Sequence, residues 1–437
     1  VSTSTLAQRP RTASVKRARP AGGGRYPQAL LHHIVAPALR VPEAAAAAVF
    51  AAARQRGPIA RDVIAQVTGL SIATVNRQVT ALLEAGLLRE RADLAVSGAI
   101  GRPRVPVEVN HEPFLTLGIH IGARTTSIVA TDLLGRTLDV VETATPRGPQ
   151  AAALAAVAGS ARRYLSRPPR AGGAPRRRRR PLWVGVATGG VVDSATGYVN
   201  HPRLGWSDAP VGTVLGEALG LPVSLASHVD AMAGAELLLG VRRQPAKSTT
   251  SLYVYARETV GYALSIGGQV HSPSSGPGTI AALPAFSELL GGTGQLESTV
   301  SDEAVLTAAR KAGIVAAESP TSTVTAVLRA ARQGNAAAAA LVAERARVLG
   351  EAVALLRDML NPDDLVVGGQ AFTGYPEGMP LVESAFAARS VLPHHDIRVT
   401  AFGNRIQEAG AGIVSLGGLY ADPIGAMRRA RRPQVSA

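Results

Sequence analysis

The sequence predicts an α/β protein with a small helical domain in front. Three observations carry this: strands and helices alternate from residue 114 onward, a helix–turn–helix pattern precedes them, and 437 residues exceed one ordinary core. Apolar residues make up 46% and charged residues 18%, which supports globular folding. The absence of cysteine excludes disulfides and thiolate zinc sites. No stretch of about 18 uninterrupted apolar residues occurs, so no transmembrane helix is expected. The basic N-terminus is followed by no hydrophobic signal core, which argues for a cytoplasmic, nucleoid-associated protein.

The net charge of +15 is concentrated in two places. Residues 1–40 hold seven Lys or Arg and no acid, and residues 161–180 hold nine arginines and no acid, leaving −1 for the rest. Residues 1–40, with Ala21-Gly-Gly-Gly24 and four prolines, read as a flexible basic arm. The second run forms an Arg-rich loop over 166–181, ending in Arg176–Arg180. Such segments attract nucleic acid by neutralising phosphates, or serve simply as solvated linkers.

An alanine-rich helix is expected from about Glu43 to Arg56, ended by Gly57-Pro58. In the next segment, Ile64, Ala65 and Val67 give one helix an inner face, and Gly69 supplies a tight turn. Ser71 is placed to N-cap a second helix, in which Ile72, Val75, Val79 and Leu82 recur on one buried face. The outer arc presents Ala73, Asn76, Arg77 and Thr80, with Thr74 at its border. These small or polar side chains suit base edges and phosphates in a major groove. Glu84-Ala-Gly-Leu-Leu-Arg-Glu then resembles the exit from a recognition helix into a wing. Gly101-Arg102-Pro103-Arg104 sets Arg102 and Arg104 on a rigid frame that could enter a narrow minor groove or touch phosphates only. Residues 41–110 are therefore expected to be a winged helix-turn-helix domain whose partner is double-stranded DNA.

Residues 111–437 continue with a β-hairpin over Leu115 to Ala130, a helix over 149–165 and a strand Leu182–Ala187 running into Gly189-Gly190. A helix over 208–219, a strand Val223–Ala226 and a helix over 229–239 follow. Strands lie over 251–270 and helices over 302–313, 321–333 and 335–360. A strand Asp364–Val367 and a last helix from about Glu408 complete the pattern.

Four motifs in this part occur in a specific order. They are Leu117-Gly-Ile-His-Ile-Gly-Ala-Arg-Thr, Gly185-Val-Ala-Thr-Gly-Gly-Val-Val-Asp, Leu221-Pro-Val-Ser-Leu-Ala-Ser-His-Val-Asp and Leu360-Asn-Pro-Asp-Asp-Leu-Val-Val-Gly-Gly. Together they resemble the ROK family of repressors, uncharacterised reading frames and sugar kinases, over about 300 residues. The preceding winged helix suits the repressor branch. The resemblance implies a two-lobed, actin-like ATPase (sugar kinase-like) fold with a cleft between the lobes.

The departures from the family pattern imply that catalysis has been lost. His120 stands where an acid would help hold Mg²⁺, and Ala123 and Arg124 replace Gly and Thr. Imidazole is a poor ligand for so hard a cation. Ser227 and His228 replace the Asn-Asp pair that carries the catalytic base, so no catalytic residue is assigned. Ala282, Glu288, Leu290 and Gln295 replace a zinc-binding His and three Cys, so no metal and no cofactor are expected.

Gly189, Gly190 and Glu297 match positions lining the family's sugar pocket, Arg203 replaces a pocket Asn, and Ala282 replaces a sugar-contacting His. Arg203, Ser227, His228 and Glu297 would favour an anionic, amino or phosphorylated sugar effector; a vestigial pocket is the competing reading. His32, His33, His111 and His201 read as surface or packing residues. The family's repressors imply a homodimer or homotetramer, for which helices 342–360 and the C-terminal helix offer apolar faces. The expected function is a sequence-specific transcription regulator of carbohydrate-related genes. The alternatives are an active carbohydrate kinase with a DNA-binding head and a ligand-independent DNA binder.

Overall fold

The computed structural model describes residues 33–94, 105–166, 179–240, 249–316 and 323–431. The first domain holds helices α1 (Ala45–Arg56), α2 (Arg61–Thr68) and α3 (Ile72–Glu84), then strands β1 (Leu88–Glu90) and β2 (Val107–Val109). β1 and β2 pair antiparallel from Leu88↔Val109 to Glu90↔Val107, and Ile59 bridges Val107 to add a third short strand. Phe50, Ile64, Val75, Val79, Leu82 and Leu87 are fully buried beneath this ribbon.

The first lobe continues with β3 (Phe114–Ile121), β4 (Thr125–Thr131), β5 (Thr137–Ala144), α4 (Gln150–Ser166) and β6 (Arg180–Thr188). β7 (Val191–Asp193), β8 (Tyr198–His201) and β9 (Trp206–Ala209) form a small antiparallel sheet, and α5 (Val211–Leu219) leads to β10 (Val223–Ser227). The main sheet has the order β10-β6-β3-β4-β5, with β10, β6 and β3 parallel and the others antiparallel. The helix expected from residue 208 starts only at Val211, because Trp206–Ala209 is drawn into the small sheet.

The second lobe opens with α6 (His228–Leu239), β11 (Thr250–Ala256), β12 (Val260–Ile266), β13 (Gln269–His271) and β14 (Gly278–Thr279). Helices α7 (Leu296–Val300), α8 (Asp302–Lys311), α9 (Val324–Arg332) and α10 (Ala336–Leu360) follow, then β15 (Asp364–Gly368), α11 (Gln370–Thr373), α12 (Met379–Arg389) and β16 (Ile397–Val399). Its sheet runs β13-β12-β11-β15-β16, with β14 on β12. The chain then returns to the first lobe as α13 (Ile406–Ala421) and ends its described part in α14 (Pro423–Arg431).

α13 packs on β3 and β6 and against α6, so the two helices lie between the two sheets. The approach requires glycine in the strands: a Cβ at Gly185 would stand 2.1 Å from the Ser415 backbone nitrogen, and one at Gly118 2.7 Å from the Gly412 nitrogen. The apolar faces of α10 and α13, expected to be free for pairing between chains, are instead used internally. α10 buries Leu341, Val342, Leu349, Val353 and Leu356 against α9 and α12, and α13 buries Ile413, Val414, Leu416 and Leu419. A single sequence cannot distinguish an apolar face covered by its own chain from one covered by a second copy.

Residues 33–40, expected within the flexible arm, form a strap across both lobes. The Val35 N–H donates to Val223 O (2.9 Å), and Val223 returns a bond to His33 O (2.7 Å), which extends the first sheet beyond β10. The Val41 N–H donates to Gly268 O (2.8 Å) and Val270 to Leu39 O (2.9 Å), along the β13 edge of the second sheet. Both sheet edges are thereby covered. Leu39 is 5% exposed and sits where a Cβ on Gly234 would clash. Residues 1–32 lie outside the described residues.

The head and the first lobe share one core. Phe50 of α1 faces Tyr420 of α13 with ring centroids 6.2 Å apart, Arg54 lies 4.3 Å over the Tyr420 ring, and its guanidinium donates to Leu238 O (3.1 Å). Met427 of α14 is buried in the same cluster.

Gly185→Ala is expected to cost at least about 3 kcal/mol, because the added carbon meets backbone that cannot rotate away. Denaturant unfolding measures it; a cost near zero would show that α13 does not approach β6 this closely.

Candidate nucleic-acid interface and interlobe cleft

α3 begins where Ser71 caps it: the Ser71 hydroxyl accepts from the Thr74 N–H (3.2 Å) and lies 3.0 Å from the Thr74 hydroxyl. Gly69, in the left-handed conformation at φ 69°, makes the turn from α2. Ala73, Asn76, Arg77 and Thr80 are exposed along the outer arc, and Thr74 is half-buried beside the cap. Asn76 is oriented from below, its side-chain oxygen accepting from Arg61 (3.4 Å), which also pairs with Glu90 of β1 at 3.1 Å. Ile72, expected on the inner face, is 49% exposed; as the first residue of α3 it overhangs the core that Val75, Val79 and Leu82 fill. An apolar group there is suited to a thymine methyl. Arg102 and Arg104 lie in the expected wing tip, outside the described residues.

Two arginines cross the cleft between the lobes in ion pairs. Arg124, in the β3–β4 turn, reaches Glu303 of α8 (2.7 Å) and Glu258 of the β11–β12 turn (3.7 Å). Arg203, after β8, meets Glu297 of α7 at 2.6 Å, and Glu297 also accepts from the Val260 N–H (3.2 Å). All three pairs are at least partly exposed, so each contributes only about 0–1 kcal/mol.

The remaining expected pocket residues have mainly local roles. Ser227 is buried and caps α6 by accepting from the Asp230 N–H at 3.2 Å. Gly190, at φ 80°, and Gly189 allow β8 to pass close: a Cβ on Gly190 would stand 2.1 Å from Asn200 O, and one on Gly189 3.1 Å from the His201 ring. Of the six, Arg203, Glu297 and half-buried His228 retain side chains directed to the cleft region.

Three histidines converge beneath it. His120 is 3% exposed, stacks toward His228 with centroids 6.3 Å apart, and has no hydrogen-bond partner for either nitrogen among the described residues. Burial lowers its pKa to about 3, aided by His228, Arg257 and His201. Burial, then His201 and Arg203, lowers His228 to about 4. His201 is buried edge-on to Trp206, in keeping with a packing residue. Sequence reading missed Arg257, which donates to Gln407 (2.7 Å) beside this group, and Tyr255, 5.2 Å from the His228 ring. Neither belongs to a recognisable motif. The loop expected in place of a zinc site is held by packing and hydrogen bonds, with Leu290 buried against the α8–α9 core, Ala285 N–H on Gly294 O (3.1 Å) and Leu296 N–H on Leu283 O (2.8 Å).

Residues 116–412 match the ROK family, and the chain belongs to it. A protein of Mycobacterium tuberculosis (strain ATCC 25618 / H37Rv) named as a transcriptional regulator is 70% identical over 414 residues, 93% of each chain. The N-acetylglucosamine repressor of Escherichia coli O157:H7 is 22% identical, covering 79% of this chain and 85% of its own. Among solved structures, a ROK family transcriptional regulator homologous to the Escherichia coli MLC protein aligns with a TM-score of 0.69 at 22% identity, over 88% of this chain and 97% of that one. A Streptomyces griseus ROK glucokinase with glucose and AMPPNP aligns at 0.57 and 21% identity, over 69% of this chain and 99% of that one. These two structures share the fold. Among the described residues no helix is long and apolar enough to cross a membrane.

In the unfolded chain His120 and His228 titrate near 6.5, while in the folded chain they stay neutral down to about 3 and 4. The unfolded state therefore takes up protons first, and stability falls as pH drops from 6.5 toward 4. Buried Asp230, raised to about 6, opposes this trend. His120→Leu is expected to remove up to one proton from the dependence, about 1.4 kcal/mol per pH unit. Melting curves of both proteins between pH 4 and 7 test it; parallel profiles would contradict a neutral, buried His120.

Proposed function

We propose that this protein is a sequence-specific, DNA-binding transcription regulator whose ROK domain senses an effector or scaffolds assembly without transferring phosphate. The observation that carries the reading is the capped helix α3, with Ala73, Asn76, Arg77 and Thr80 exposed above a buried face and a wing following. Residues 41–110 act as the DNA-binding head and residues 111–437 as the kinase-like body. Ser71 holds the helix start, Arg77 and Asn76 address base edges, Ala73, Thr74 and Thr80 line the approach, and Arg102 and Arg104 extend it into the flanking minor groove. Relatives named as transcriptional regulators and repressors support this reading.

The side chains at the cleft do not suit phosphoryl transfer. A neutral imidazole at His120 supplies no carboxylate for Mg²⁺, and Arg124 is drawn into an ion pair on the phosphate side of the cleft. An effector would separate Arg203 from Glu297 and pair with both, which suits a sugar carrying an anionic or amino group. The lobes would then move relative to each other, and the strap, bonded to both and leading into α1, would transmit the change to the head. Control of carbohydrate-related genes follows by analogy with the repressors of N-acetylglucosamine and xylose named among the relatives. A two-fold operator would need two heads about one DNA turn apart, hence a homodimer or homotetramer in the cytoplasm.

Arg77→Ala is expected to weaken binding to a selected operator about tenfold to hundredfold, while unrelated duplex is bound as before. Electrophoretic mobility shift measures this, and equal binding by mutant and wild type would remove α3 as the reading element. With sugars and Mg-ATP, ADP release is expected to stay at the sugar-free background; sugar-dependent turnover would establish the kinase reading instead.

A further inference from the structure

The head is almost neutral for a DNA-binding domain. Residues 41–112 contain eight arginines, no lysine and seven acids. Three of these arginines are held in ion pairs, Arg61 with Glu90, Arg89 with Glu108 and Glu112, and Arg91 with Asp93 and Glu108. Arg54 is stacked on Tyr420. Phosphate neutralisation supplies most non-specific DNA affinity, so a neutral head implies cations supplied from elsewhere.

Helix α14 provides them at a suitable place. Residues 423–437 contain four arginines and no acid. One face of α14 buries Pro423, Ala426 and Met427 against the core that includes α1 and α3. Its other face exposes Arg428, Arg429 and Arg431. Arg428 and Arg429 have no ion-pair partner among the described residues. The helix is fixed from both sides: Arg431 donates to Ala85 O (2.8 Å), at the C-cap of α3, and Arg180 donates to Ala430 O (2.7 Å). Ala85 lies five residues beyond Thr80, about 8 Å along the helix axis at 1.5 Å per residue. The major groove is about 12 Å wide, so a backbone flanking a helix seated in it lies at a distance these side chains can span.

We propose that Arg428 and Arg429 form a second, sequence-independent contact with the phosphate backbone of duplex DNA, beside the groove occupied by α3. This rests on the DNA-binding reading and adds a site that lies nearly 350 residues away in sequence from the recognition helix. Two basic residues in a last helical turn would also suit the helix dipole alone; the test separates that from a contact with DNA.

The full chain is titrated by fluorescence anisotropy from 50 to 300 mM KCl (a range over which the salt effect is about tenfold or more). The probes are a duplex of about 30 base pairs, roughly three helical turns, selected from random sequence by the wild type, and a scrambled duplex of the same composition. R428A/R429A is expected to lower the slope of log K against log salt by about 2, with the same fold loss on both duplexes. R428K/R429K retains the charge and is expected to restore the slope, and R389A, on the exposed surface of α12, to leave it unchanged. Melting temperatures are compared to exclude unfolding. Wild-type slope and affinity in R428A/R429A would overturn the proposal, as would a loss confined to the selected duplex. Binding by the wild type to neither duplex would instead sink the DNA-binding reading itself, and this contact with it. Loss of binding to anionic lipid vesicles with DNA binding intact would assign the arginines to a membrane surface and overturn the proposal.

Discussion

The contact between α13 and the strands it crosses is the constraint on which the other parts depend. Gly118 and Gly185 let the backbone of α13 approach β3 and β6 so closely that a Cβ at either position would clash with it. Because α13 lies so low on the first sheet, its opposite side can pack against α6, which covers the second sheet. The last turn of the same helix presents Tyr420 to Phe50 and Arg54 of the head. One helix thus sets the spacing of the lobes and the seat of the N-terminal head.

The strap acts on the same geometry from outside. Its backbone bonds to Val223 and to Gly268 and Val270 join edges that belong to different lobes, and it continues into α1 after a few residues. Movement between lobes must either break one pairing or carry α1 along. The exposed ion pairs across the cleft are weak by comparison with the strap and the Tyr420 contact that hold the head to the body.

Polar groups at the cleft are held mainly by partners within the chain. Arg124 and Arg203 face acids of the opposite lobe, Ser227 caps a helix, and His120 lies buried and neutral. The two arginine charges are thus directed at acids of the other lobe.

Local sequence rules determined much of the architecture. The spacing of Val75, Val79 and Leu82, the cap at Ser71 and the turn at Gly69 define α3, because each depends on neighbours within one or two turns. The alternation of strands and helices likewise gave the two lobes and the order of their motifs. Tertiary structure alone decided which partners met. It placed residues 33–40 on two sheet edges, turned the faces of α10 and α13 inward, left Ile72 outside and set α14 against α3. It also matched Arg124 with Glu303 across 179 residues and brought His120, His201 and His228 together. Contacts of this kind join positions far apart in the chain, where neither periodicity nor capping chemistry carries any signal, and so they emerge only when the packed backbone fixes who is near whom.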